Sequence, residues 1–63
     1  MDIYYYITDL RTCREFTVKA KNLNMIPPIG SLVRIVEDDN INIVKSIHID
    51  EYDNSITISM DRT

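Results

Sequence analysis

The chain is poor in the residues that build reactive sites. A single glycine, Gly30, excludes a glycine-rich phosphate cradle. A single cysteine, Cys13, allows neither an internal disulfide nor a cysteine-based zinc cluster. With a single histidine, His48, we expect that a triad or a multi-histidine metal site would need a second chain. Tryptophan is absent. Strong helix formers are scarce, with Ala20 the one alanine and Leu10, Leu23 and Leu32 the leucines. No run approaches the roughly 20 apolar residues of a membrane-spanning helix. The start, Met1-Asp2-Ile3-Tyr4, has neither the basic nor the apolar region of a secretion signal. With one unpaired thiol, these absences lead us to expect a cytoplasmic protein, in a bacterium or its host cell, with no membrane partner.

The 63 residues make one domain, 1–63. A chain of this length hides roughly 60% of its unfolded surface, which leaves little room for a core and a deep pocket together. Net charge is −3, and it is unevenly placed. Residues 1–34 hold five basic and three acidic side chains; residues 35–63 hold two basic and seven acidic, so the halves carry +2 and −5. Such halves attract one another in the fold or present a two-sided surface to a charged partner.

What the chain has in quantity is isoleucine at period two. Eleven residues are Ile, many of them two apart. Successive side chains of a strand point to opposite faces, so this spacing predicts strands. In 3–8, Ile3, Tyr5 and Ile7 share one face while Tyr4, Tyr6 and Thr8 share the other. Asp9 to Thr12 reads as a turn, because Asp bonds the backbone that follows it. The run 13–21 places Phe16, Val18 and Ala20 inward and completes an antiparallel hairpin. Residues 22–31 contain Pro27, Pro28 and Gly30, so no central strand passes through them. Their apolar Leu23, Met25, Ile26 and Ile29 predict a lid over an open end of the core.

The run 32–37 alternates with Val33 and Ile35 on one face and Leu32, Arg34 and Val36 on the other. Asp38-Asp39-Asn40 reads as a turn. In 41–49, Lys45 interrupts the apolar row, and a bulge near Lys45-Ser46 would bring Val44, Ile47 and Ile49 to one side. Residues 51–54 form the next turn, and Ile56, Ile58 and Met60 point inward in the last run. Five short strands about ten residues apart predict an all-β fold, a five-stranded antiparallel barrel or half-open barrel. The core expected from this phasing is Phe16, Val18, Val33, Ile35, Ile47, Ile56 and Ile58.

Pro28-Ile29-Gly30-Ser31-Leu32-Val33-Arg34-Ile35, followed by Ile43-Val44-Lys45-Ser46-Ile47 and Ile56-Thr57-Ile58, resembles small SH3-like barrel proteins of phages, prophages and bacterial mobile elements. The resemblance spans about residues 26–60 and consists mostly of hydrophobic spacing, with Gly30 as its sharp turn. The chain departs from it at Ile41-Asn42-Ile43, where such proteins often carry an aromatic. The resemblance implies an accessory protein that acts on a host or element partner, for example an inhibitor of host defence. It assigns no functional residue, because these barrels serve unrelated roles.

Chemistry-bearing clusters are thin. His48, Asp50, Glu51 and Asp53 include metal-ligand types, but they fall at a hairpin end without the glycine of a calcium loop and read as exposed polar side chains. Cys13 reads as a small buried apolar residue rather than a nucleophile. We therefore expect no catalytic residues, no metal and no cofactor. The residues expected at an interface are Tyr4, Tyr6, Leu32, Arg34 and Val36, since tyrosine is enriched where proteins meet and the strand period turns these outward. Their partner would be a protein, either of another kind or a second copy in a homo-oligomer. A nucleic-acid reading would draw on Arg11, Arg14, Lys19 and Lys21 with the tyrosines, but the net negative charge disfavours it. The discriminating observation is whether those cations line one groove with Tyr4 and Tyr6.

Overall fold

A computed structural model describes residues 1–21, 25–36 and 38–63. The alternating runs form β1 (Asp2–Asp9), β2 (Arg14–Lys19), β3 (Leu32–Ile35), β4 (Asp38–Asp50) and β5 (Ser55–Arg62). They join in one sheet of order β2-β1-β5-β4-β3, curled into a half-barrel. No described residue is helical, so none forms a helix long and apolar enough to cross a membrane.

Pairings β1–β2, β3–β4 and β4–β5 are antiparallel, as expected. The fourth corrects the all-antiparallel expectation. β5 lies beside β1 and runs parallel to it, from Asp2↔Ser55 to Thr8↔Asp61. Period two dictates which face a side chain takes, but it does not name the neighbouring strand. Seating β5 between β1 and β4 pairs both its backbone edges and covers its Ile56, Ile58 and Met60 from either side.

The core consists of Tyr5, Ile7, Ile35, Val44, Ile56, Ile58 and Met60, with Phe16, Val18, Val33 and Ile47 half-buried against it. Cross-strand rows build it: Val18, Tyr5, Ile58 and Ile47 in one, Phe16, Ile7, Met60 and Val44 in the next. Phe16, Val18 and Val33 are less buried than their phase alone implies because they stand on β2 and β3, the two edges of a sheet that does not close. The expected bulge lies between Val44 and Ser46, where the β4–β5 register shifts. It keeps Val44 opposite Met60 and Ile47 opposite Ile58, and turns Lys45 outward to Asp61 at 3.3 Å.

A polar cluster closes one end of the core. Arg62 continues the inward row of β5, donates from Nη1 to Asp9 Oδ2 at 2.6 Å and lies 5.3 Å from the Phe16 ring centre. Asn42, fully buried and opposite Arg62 in the ladder, donates to the carbonyls of Val33 and Asn40. Burial by itself would raise the Asp9 carboxyl, but the Arg62 bond and the Arg11 and Thr12 donors outweigh it and hold the group below the usual aspartate value.

The β1–β2 and β4–β5 turns share one device. Asp9 Oδ1 accepts the N–H groups of Arg11 and Thr12, and Asp50 Oδ1 accepts those of Tyr52 and Asp53. Each turn ends four residues on in the left-handed region, at Cys13 (φ 54°) and Asn54 (φ 55°). Cys13 is therefore exposed in a turn and not a buried apolar residue, which corrects its expected role. The expected turn at 38–40 is also corrected: Ile35 pairs with Asp38, and β4 has already begun. Ladder pairing overrides the local turn preference of Asp and Asn there. Glu37, placed by the sequence at the end of the third run, lies outside the described residues.

Candidate functional site

The half-barrel leaves β2 and β3 as its two edges. Where they approach each other lies a cleft of about 130 Å³, lined by Tyr5, Lys19, Lys21, Arg34, Ile35 and Val36. Each strand delivers its part for a local reason. β2 is so phased that Val18, opposite Tyr5, faces the core while Lys19, opposite Tyr4, faces out. Backbone pairing of Ala20 N–H to the Ile3 carbonyl at 2.8 Å carries the chain past the end of β2 and sets Lys21 beside the cleft. In β3 the register shifts between Val33 and Ile35, two residues there spanning four of β4. Arg34 sits at that irregularity, the kind of position that re-aims a side chain.

Among the described residues, the charged groups lining the cleft are Lys19, Lys21 and Arg34, in a chain whose net charge is −3. Lys19 Nζ lies 3.1 Å from Asp2 Oδ1, with both side chains more than half exposed. The hydrogen bond from Asp2, then its charge and that of Tyr4, raise the Lys19 ammonium above its ordinary value, so it remains charged throughout the neutral range. The floor is apolar: Tyr5 and Ile35 are buried, and burial raises the Tyr5 phenol, which stays neutral. Small-molecule sites enclose about 300–1,000 Å³. This cleft admits one side chain or one small anion.

Of the residues singled out by sequence, the structure brings together Lys19, Lys21, Arg34 and Val36. It brings Tyr4 beside one of them, Lys19, its cross-strand partner on the outer face, but neither Tyr4 nor Tyr6 lines the cleft. Tyr4 and Tyr6 occupy the opposite face of β1 from Tyr5 and are half-buried. The Tyr6 hydroxyl donates to Glu15, and this bond, with burial and the Glu15 charge, raises its pKa above the ordinary tyrosine value. Nor do the tyrosines adjoin Leu32, because β5 and β4 stand between β1 and β3 and put them about 14 Å apart at ~4.8 Å per strand. Arg11 and Arg14 belong to the far end of the β1–β2 hairpin, where Arg14 is about 17 Å from Lys19 at ~3.3 Å per residue. The cations thus fall in two separate groups.

A second surface lies beside the cleft. Gly30 (φ 90°) is the third residue of a turn in which Ser31 N–H bonds the Pro28 carbonyl at 3.1 Å, a position that requires positive φ. Bonds from Gly30 N–H to the Val44 carbonyl and from Val44 N–H to the Ser31 carbonyl fasten this turn to β4. Ile26 packs on the core, as a lid residue should, but Met25 and Ile29 point into solvent. Leu23, the remaining residue of the expected lid, lies outside the described residues. Leu32 pairs with Ile43 on the outer face, and Leu32, Val36 and Ile41 are exposed, Val36 by 89%. Sequence reasoning found Leu32 and Val36 by phase; it missed Met25 and Ile29 by assigning all the loop's apolar residues inward.

His48 is exposed on the outer face, opposite Thr57, and Asp50 is engaged in capping its turn. Among the described residues no three His, Cys, Asp or Glu side chains converge. Comparison with family models, with curated proteins and with solved structures returns no match.

Proposed function

We propose that this half-barrel is a non-enzymatic protein-interaction module of the cytoplasm, binding a partner protein through the sector formed by the proline loop, β3 and the start of β4. One observation carries this reading. Of the nine large apolar side chains left in water among the described residues, five, Met25, Ile29, Leu32, Val36 and Ile41, come from this single sector, and the other four, Met1, Leu10, Ile49 and Tyr52, lie outside it. An apolar group kept in solvent by so small a protein costs solubility, and a cluster of them marks a contact surface. The sector also includes an edge strand, whose free backbone invites a partner. The resemblance to mobile-element barrels extends the proposal to an accessory role acting on a host or element-encoded protein.

The test is a comparison of the wild-type chain with an Ile29→Ser/Leu32→Ser variant. Both are immobilised and exposed to nuclease-treated bacterial lysate, and sedimentation follows their self-association. The reading expects a protein, or a second copy, that wild type retains and the variant loses at unchanged fold. Equal retention by both would refute it.

A nucleic-acid reading has one observation in its favour, the three cations in one cleft. Tyr4 stands beside Lys19, but neither Tyr4 nor Tyr6 lines the cleft and Arg14 lies at the other end of β2, so no single groove joins tyrosines and cations, and the protein reading is preferred for that reason.

A further inference from the structure

We propose that the open seam between β2 and β3 is a strand-addition site for an extended acidic segment of a partner protein. The segment would seat carboxylates on Lys19 and Arg34. This rests on the protein-interaction reading above and adds a site and the chemistry of its ligand.

The backbone supplies the first argument. β2 pairs with β1 and β3 pairs with β4, and each has its other edge at the margin of the sheet. An unpaired edge is a template for a further strand, whose main-chain bonds give affinity while alternate side chains give selectivity. The two edges converge at the cleft. A strand laid there would advance the closure of the half-barrel and cover Phe16 and Val18, which the open sheet leaves half-wet.

The side chains supply the second argument. On the inward phase the seam is apolar, with Tyr5, Val18 and Ile35. On the outward phase, the charged groups of the lining among the described residues include Lys19 and Arg34. A strand complementary to both phases alternates an apolar residue with a carboxylate. Lys19 already touches Asp2, but that pair is exposed, and such pairs contribute little and exchange readily. The cleft volume of about 130 Å³ admits one side chain. Its one aromatic, Tyr5, is 7% exposed and offers no face for stacking.

The experiment titrates the full chain against fluorescein-labelled decapeptides that alternate Glu with Val, Gln with Val, or Lys with Val, and against a ten-nucleotide oligo-dT, followed by anisotropy. The Glu-Val peptide is expected to bind at least tenfold more tightly than Gln-Val, to weaken with salt, and to shift the backbone amides of residues 14–19 and 34–36. The Lys-Val peptide is expected not to bind. An Arg34→Glu variant with unchanged melting should lose at least tenfold, whereas Tyr52→Ser, in the exposed β4–β5 turn, should lose nothing. Three results would overturn the proposal: oligo-dT binding as tightly as Glu-Val, equal binding of Glu-Val and Gln-Val, or no peptide binding at millimolar concentration. Any of these leaves the module reading to its own test, because Ile29 and Leu32 do not line the cleft. Conversely, peptide binding that survives alongside a neutral Ile29→Ser/Leu32→Ser variant would uphold the seam and reject the apolar sector.

Discussion

Truncating Ile58 probes the phase and topology of the whole sheet. Ile58 is fully buried on β5, flanked by Tyr5 of β1 and Ile47 of β4. Ile58→Ala removes about three carbons, worth roughly 2.4 kcal/mol at ~0.8 kcal/mol each. If the flanking strands hold their places, a void on the order of 80 Å³ adds roughly 2 kcal/mol at ~24 cal/mol per Å³. The total, about 4 kcal/mol, stands against a stability of roughly 3–9 kcal/mol for a chain of this length at ~0.05–0.15 kcal/mol per residue. Ile58→Ala is therefore expected to be marginal or unfolded at 25 °C. Ile58→Val should cost only about 0.5–1.5 kcal/mol and remain measurable. Ile49 is the control: it lies in the ladder opposite Ile56 but is 57% exposed, and Ile49→Ala should cost about 1 kcal/mol or less. Urea titrations followed by far-ultraviolet circular dichroism give all three differences, with a shared m-value as the check on two-state behaviour. Equal costs for Ile49→Ala and Ile58→Ala, or a loss under about 1 kcal/mol for the latter, would refute the placement of β5 at the centre.

Cys13 pays a left-handed backbone cost that Asn54 avoids in the matching turn, so Cys13→Asn should stabilise by roughly 0.5–1 kcal/mol in the same urea assay. Gly30→Ala meets no atom within 4 Å of the new Cβ, yet it should destabilise by about 1 kcal/mol, because φ 90° is strained for any side chain; a neutral result would show that the turn relaxes. For Asp9, whose folded pKa is depressed, the stabilisation is present above the unfolded value of about 3.9 and is lost as pH falls below it toward the folded value. Melting curves of wild type and Asp9→Asn should accordingly differ at pH 7 and converge near pH 2, and a gap that does not change with pH would contradict the Asp9–Arg62 assignment.

The half-barrel's strands were legible because one face of each is apolar, and a period of two makes that face visible in a linear chain. The same logic located the bulge at Lys45, since a charged residue within an inward row must be displaced. Turn chemistry was legible at Asp9 and Asp50, where the carboxylate bonds the backbone just after it. These are local facts, involving residues at most a few positions apart. The parallel seating of β5 beside β1 is different in kind. It joins residues some fifty positions apart, and nothing in either strand's alternation distinguishes one apolar neighbour from another. The Asp9–Arg62 pair follows from that seating, so two charges that look like surface residues in sequence become buried partners. The candidate site was legible only in pieces. Lys19, Lys21, Arg34 and Val36 were each marked as outward-facing, but their meeting depends on how far the sheet curls and which strands are left at its margins. Sequence determined which side of each strand meets water; the closure of the sheet decided which of those sides face one another, because curvature sums the twist of every strand and belongs to none of them.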